Sequence, residues 1–93
     1  MKGASVLARY DSEALRFKTI SELKWSMRCG AEVVIEWENK EYGIWAEGDV
    51  IRITSKGKPE QKFRSADEAL EYMVGEDRLR DVITQVTVIE RTI

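Results

Sequence analysis

Histidine is absent from this 93-residue chain, and cysteine occurs only once, at Cys29. The absence of histidine excludes most zinc sites and most general-base arrangements. A single cysteine can form neither an intramolecular disulfide nor a thiolate metal cluster. We interpret Cys29 as a small packing residue rather than a nucleophile, because the sequence shows no activating partner for it. The composition therefore predicts no catalytic residue, no metal and no cofactor, and we do not expect an enzyme.

The chain also lacks an excess of either charge and any long apolar run. Lys and Arg number 15 against 17 Asp and Glu, and the sequence pI is about 5.2. Domains that bind nucleic acid usually carry a basic excess or a basic stripe, so nucleic acid is not the expected partner. No apolar run has the length of a signal-peptide core or of a membrane span. We expect a cytoplasmic protein without membrane contact.

The length and the hydrophobic content together predict one small domain. A hydrophobic fraction of 43% suffices for a single modest core in a chain of this size. We place the domain at residues 17–93, after a poorly defined N-terminal arm at residues 1–16. The apolar residues of the arm fit a helical stripe and a strand equally well, so its structure stays open.

The segment 31–55 predicts three antiparallel strands that form a meander. Its apolar and polar residues alternate with a period of two, which is typical of half-buried strands. We predict tight turns at Asn39-Lys40 and Gly48-Asp49, because Asn and Gly tolerate the positive φ of such turns. These turns place the large apolar residues on one face of the sheet. The predicted pairs are Trp37 with Tyr42, Ile35 with Ile44, Val33 with Ala46, Ala46 with Ile51, and Ile44 with Ile53.

The same pairing predicts an acidic opposite face with a tryptophan at its centre. Trp45 lies in a row with Val34 and Arg52, and glutamates surround this row. The predicted neighbours are Glu32 opposite Glu47, Glu38 opposite Glu41, and Glu36 beside Gly43. Like charges directly opposite each other are unfavourable in a sheet, so two such pairs require an explanation.

Two interpretations of this face stay open. In the first it is a solvated surface, where Arg52 stacks on Trp45 as a cation–π pair and the glutamates supply solubility. In the second it is a protein-binding surface with an aromatic anchor and an acidic rim. The candidate partner-binding residues are Trp45, Val34, Arg52, Glu32, Glu36, Glu38, Glu41 and Glu47.

Two similar capping motifs predict helices on either side of the meander. Thr19 is followed at the third helical position by Glu22, and Ser65 is followed in the same way by Glu68. In such a capping box the hydroxyl accepts from a free helix amide while the glutamate reaches back. We predict a first helix over about residues 20–29. The second helix begins after Ser65 and is predicted to end at a glycine, residue 75.

The end of the chain predicts a short helix and a strand. Apolar residues recur at helical spacing over residues 78–84, and Asp77 is the predicted cap. Residues 85–93 are rich in β-branched side chains and read as a strand, which either joins the sheet edge or pairs with another chain. The predicted fold is thus α+β, a three-stranded antiparallel meander with helices packed on one face, in the order α-β-β-β-α-α, plus a C-terminal strand.

These motifs resemble a group of small proteins common in phages and mobile elements of Gram-positive bacteria. The resemblance rests on residues 17–23, 33–42 and 63–70, and it spans residues 17–85. The element order is also similar to that of one of the type II-A anti-CRISPR proteins, an acidic mimic that occupies the DNA-contacting groove of its nuclease. The resemblance implies an accessory protein that binds another protein, for example a host nuclease. The near balance of charge departs from direct DNA mimicry.

We therefore expect a non-enzymatic protein that binds another protein through the Trp45 face. Two alternatives stay open. One is a small structural or regulatory homo-oligomer that associates through its C-terminal strand. The other is a weak nucleic-acid binder that uses Arg52, Trp45 and the basic loop 56–62.

Overall fold

A computed structural model of the chain describes residues 14–92, which form a small α+β domain. The elements are α1 (Ile20–Arg28), β1 (Glu32–Trp37), β2 (Lys40–Glu47), β3 (Val50–Ser55), β4 (Gln61–Phe63), α2 (Ala66–Ala69), β5 (Met73–Val74), β6 (Asp77–Arg78), α3 (Leu79–Val82) and β7 (Thr87–Arg91). Five strands form one antiparallel sheet in the order β4-β3-β2-β1-β7, and β5 and β6 form a separate hairpin. The predicted fold class is confirmed. The N-terminal arm predicted at residues 1–16 falls mostly outside the described residues.

The two predicted helix caps are present. The Oγ1 atom of Thr19 accepts a hydrogen bond from the amide of Glu22 at 3.1 Å, and the Oγ atom of Ser65 accepts one from the amide of Glu68 at 3.1 Å. Each glutamate reaches back one residue further than the cap, to the amide of Lys18 at 2.7 Å and to that of residue 64 at 2.9 Å. Both helix starts therefore use the same local solution, since each box satisfies amides that the helix leaves free.

The caps lead to a prediction about stability. Thr19→Ala and Ser65→Ala should each lower the free energy of unfolding by roughly 0.5–2 kcal/mol, because each removes the acceptor of a free helix amide. Thr19→Ser and Ser65→Thr are the matched controls, since they keep the hydroxyl. Urea denaturation followed by circular dichroism measures the differences. Alanine variants as stable as the hydroxyl-bearing controls would contradict the capping role.

The register of the first hairpin differs by two residues from the predicted one. Its loop consists of Glu38 and Asn39, both at positive φ (53° and 67°), as a type I′ turn requires. The observed pairs are Ile35 with Tyr42 and Val33 with Ile44. The prediction placed the loop one residue later because it took Asn39 as the first turn residue, and glutamate, which rarely adopts a left-handed backbone, occupies that position in the structure. Since the shift along β2 is an even number of residues, every side chain keeps its predicted face.

The second hairpin has the predicted register. Ile44 pairs with Ile53 and Ala46 with Ile51, around a loop in which Gly48 has a φ of 64°. The inward residues of this hairpin join the core between the sheet and the helices. The largest fully buried side chains there include Phe17, Leu23, Ile35, Ile44, Ile53, Leu70, Leu79 and Ile83. Phe17, two residues before the cap Thr19, is thus fully buried in this core.

The segment after α2 corrects two expectations. Gly75, at a φ of 72°, lies in the turn between β5 and β6 and does not end a long helix, because α2 stops at Ala69. Asp77 does not cap α3, whose first residues have no side-chain cap. The Oδ2 atom of Asp77 instead accepts a hydrogen bond of 3.0 Å from the indole Nε1 of Trp37. A partly buried indole needs such a partner, and this need outweighs the capping preference.

The C-terminal strand joins the sheet beside β1, and its last residue fastens the sheet to α1. The guanidinium of Arg91 donates to the carbonyl of Leu15 at 2.8 Å and to the hydroxyl of Ser26 at 3.2 Å. It pairs with Glu22 at 3.0 Å and lies 4.2 Å from the centroid of the Phe17 ring. The edge strand β7 is therefore connected to α1 by hydrogen bonds from the Arg91 side chain to Glu22 and Ser26.

Candidate protein-binding site on the open sheet face

One face of the five-stranded sheet packs against the helices, and the other, which we call the open face, does not. Alternation along the strands assigns side chains to it, because their chain neighbours are buried in the core. Trp45 and Val34 are half-buried on this face, while most of its carboxylates are exposed. The residues of the open face include Glu32, Val34, Glu36, Glu41, Gly43, Trp45, Glu47, Val50, Arg52, Thr54, Lys62, Thr87 and Glu90.

The predicted central row is present in part. Trp45 lies directly opposite Arg52 on β3, as predicted. On the other side it lies opposite Glu32 instead of Val34, which pairs with Gly43. The two-residue shift of the first hairpin causes this change. Trp45 and Val34 are consequently diagonal neighbours, a separation that a large aromatic side chain spans.

Gly43 leaves a hollow beside the tryptophan. A Cβ atom at this position would lie 3.9 Å from the Cζ3 atom of Trp45 and 3.2 Å from the Cγ2 atom of Thr54. The indole therefore leans over the glycine. A shallow depression of about 310 Å³ results, and Glu32, Val34, Gly43, Trp45 and Glu90 are among the residues that line it.

Arg52 is engaged by carboxylates and does not stack on the tryptophan as the solvated-face interpretation assumed. Its Nη1 atom donates to Glu60, and its Nε atom lies 2.7 Å from Oε1 of Glu47. The hydrogen bond to Glu60, with a further contribution from Glu47, raises the pKa of Arg52 above its ordinary value, although burial opposes this. The positive charge of Arg52 is therefore neutralised by its two partners, and the group of three keeps a net charge of −1.

Other glutamates of the predicted rim change place. Glu38 leaves the open face for the turn, where its Oε1 atom lies 3.4 Å from the position of a Cβ on Gly75. The predicted pairs Glu32 with Glu47 and Glu38 with Glu41 are not formed. The like-charge pair that the sheet does contain is Glu36 opposite Glu41.

Glu90 is a member of the open face that the sequence did not reveal. It lies opposite Val34 in β7, just after an irregularity in the pairing of β1 with β7. A bulge of this kind changes which residues share a face, so alternation within residues 85–93 could not place this side chain. Within residues 14–92, four carboxylates of the open face make no ion pair, namely Glu32, Glu36, Glu41 and Glu90.

A second, wider depression of about 770 Å³ continues from Gly43 towards the first turn and the loop after β3. Lysines line its far end, at Lys40, Lys56 and Lys58. Trp45 is not among its lining residues, and Arg52 is occupied by two carboxylates. Within residues 14–92, Trp45 and these lysines thus line different depressions of the open face.

These features define a small α+β domain with an acidic open sheet face that holds a tryptophan beside a hollow. Among residues 14–92, no helix has the length and apolar character needed to cross a membrane. The same part of the chain holds no group of three or more potential metal ligands. Comparison with protein-family models, with curated proteins and with solved structures returns no match.

Proposed function

We propose that this chain is a non-enzymatic binding protein whose open face contacts another protein, with Trp45 as the anchor. The observation that carries the proposal is the Trp45 indole, which leans over Gly43 on an outward-facing sheet surface. Interface anchors are commonly tryptophans that fill or border a pocket, surrounded by a polar rim. Val34 and Glu32 border the same hollow, and they supply an apolar wall and a charged one.

The charges of the open face support the same proposal. Glu36 and Glu41 lie directly opposite each other, an arrangement that destabilises an isolated sheet. Neither has an ion-pair partner in the described part of the chain. A partner of complementary charge would remove this repulsion and raise the rate of encounter. The unfavourable pair is then explained by binding and not by folding.

We further propose that the protein acts in the cytoplasm as an accessory protein of a phage or mobile element, as its resemblance to such proteins implies. An inhibitor of the anti-CRISPR type, with a host nuclease as its target, is the most specific form of this proposal. Of the eight candidate partner-binding residues predicted from the sequence, five stay in the proposed contact surface. They are Trp45, Val34, Glu32, Glu36 and Glu41, and Glu90 joins them.

Association of two copies through β7 is the alternative with one observation in its favour. Ile89 in this edge strand is 43% exposed, and exposed strand edges favour pairing with another chain. The pairing of β7 with β1 is irregular at the same place, however, and such bulges work against edge-to-edge association. We therefore place the contact surface on the open face.

Capture of partner proteins from host lysate tests the proposal. The immobilised wild type and Trp45→Ala should be compared with Trp25→Ala, a matched control because Trp25 lies on α1 and is 51% exposed. We expect Trp45→Ala to lose about 2 kcal/mol or more of binding free energy, whereas Trp25→Ala retains wild-type capture.

A second variant tests the contribution of the negative charges of the open face. The double variant Glu36→Gln with Glu41→Gln should slow association, because charges at an interface act mainly on the encounter rate. It should leave the protein folded and equally or slightly more stable, because it removes the repulsion of a like-charge pair. Equal capture by the folded wild type and all these variants would refute binding through the open face.

A further inference from the structure

The hollow beside Trp45 is a negatively charged site with an aromatic wall. Glu32 and Glu90 both line it, on β1 and β7, and neither makes an ion pair within residues 14–92. Trp45 and Gly43 line it as well, and the missing side chain of Gly43 leaves space beside the indole. Two glutamates and a tryptophan thus border one small depression.

The rest of the open face does not neutralise this charge. Arg52, the cation directly opposite Trp45, is held between Glu47 and Glu60 on the far side of the indole. The lysines of the wider depression lie towards the first turn and the loop after β3, and they are not among the residues that line the hollow. Two of the four unpaired carboxylates of the open face, those of Glu32 and Glu90, therefore belong to residues that line the hollow together with Trp45.

The size of the hollow limits what it can hold. A volume of about 310 Å³ lies at the lower end of small-molecule pockets, and the depression is open to solvent. A single long side chain of a partner is a better match than a cofactor-sized ligand. Its chemistry must satisfy an aromatic face and two carboxylates together. A guanidinium does so, because it stacks on an indole and donates in a planar fork to carboxylates.

We infer that the partner inserts an arginine side chain into this hollow, where the guanidinium stacks on Trp45 and bonds to Glu32 and Glu90. This inference rests on the proposed function and specifies the partner as a protein segment with an exposed arginine. The pairing is charge-assisted, and the tryptophan wall excludes water from one side of it. A lysine fits the charge but lacks the planar fork.

A titration by nuclear magnetic resonance tests the inference without the natural partner. The probes are the blocked tripeptides Gly-Arg-Gly, Gly-Lys-Gly and Gly-citrulline-Gly, the last being a neutral isostere of the first. We expect the arginine peptide to bind weakly and to shift the indole N–H resonance of Trp45 but not that of Trp25. The lysine peptide should cause a smaller shift, and the citrulline peptide almost none.

Two double variants with the same change of charge provide the matched comparison. Glu32→Gln with Glu90→Gln alters the hollow and should weaken binding of the arginine peptide by about tenfold, the equivalent of one charge-assisted hydrogen bond. Glu36→Gln with Glu41→Gln alters the same face outside the hollow and should have a much smaller effect. Spectra of the free variants verify that both fold.

The outcomes separate this inference from the proposed function. Equal shifts with the arginine and citrulline peptides, equal shifts with arginine and lysine, or equal losses in the two double variants would each overturn it. If lysate capture nonetheless depends on Trp45, the protein-binding function stands with a different occupant. If capture is the same with and without Trp45, the proposed function fails whatever the peptides do.

Discussion

Ile35→Ala and Ile44→Ala should each lower the free energy of unfolding by about 2–5 kcal/mol, the usual cost of removing a large buried aliphatic side chain. Both isoleucines are essentially inaccessible, at 0% and 1% exposure, and they lie in β1 and β2, two adjacent interior strands of the sheet. Each substitution would leave a cavity within the buried core cluster, and such a cavity adds to the cost of the lost contacts.

Two neighbouring valines give the matched comparison for this prediction. Val33 is buried in the core at 1% exposure, whereas Val34 is half-buried on the open face. The same change, to alanine, should therefore cost clearly more at Val33 than at Val34. Urea denaturation of the four variants measures the ranking. A larger loss at Val34 than at Val33 would mean that the strand presents the opposite face to the core.

Arg91→Ala should lower the free energy of unfolding by about 1.5–3 kcal/mol, the typical net contribution of hydrogen bonds that involve a charged group. Only 9% of the Arg91 side chain is exposed, and its guanidinium bonds to Leu15, Glu22 and Ser26. The alanine variant loses all of these bonds and the contact with the ring of Phe17. Arg91→Lys is the control, because it keeps the charge but lacks the fork that reaches several acceptors. It should fall between the wild type and the alanine variant.

The acid dependence of stability gives a second measurement of the same contact. The hydrogen bond from the amide of Lys18 lowers the pKa of Glu22 most; burial opposes this, and Arg91 lowers the pKa further. A carboxyl whose pKa is lower in the folded than in the unfolded chain stabilises the fold above the unfolded-state pKa, and this stabilisation is lost as the pH falls through the folded-state pKa. Unfolding free energies measured from neutral to acid pH should therefore fall less in Arg91→Ala than in the wild type. Identical pH profiles would exclude a contribution of Arg91 to the Glu22 carboxylate.

The sequence was sufficient for the features that depend on local chemistry. The caps at Thr19 and Ser65 follow from short motifs whose hydrogen bonds lie within a few residues. The faces of β1 to β3 follow from alternation, which survives a register shift of two residues. Trp45 was placed on the open face for this reason, and the structure retains it there.

The remaining features depend on long-range pairing that the sequence does not encode locally. Glu38 adopts a positive φ because the hairpin as a whole favours a type I′ turn. The pairing of β1 with β2 consequently differs by two residues from the predicted pairing, and the glutamates of the open face have different neighbours. Glu90 reaches the hollow because β7 pairs with β1 and is irregular there. The hydrogen bonds from Arg91 to Glu22 and Ser26 join residues far apart in sequence, and no local sequence pattern predicts them.

Oxidative footprinting of the chain in complex with its captured partner tests the central claim most directly, because the protein carries its own control. Trp45 lies on the open face, whereas Trp25, at 51% exposure, lies on α1. Hydroxyl-radical labelling of the free protein and of the complex, quantified at both tryptophans by mass spectrometry, gives two protection factors. Binding through the open face predicts that Trp45 is protected in the complex while the labelling of Trp25 is unchanged. Protection of Trp25 with undiminished labelling of Trp45 would contradict it.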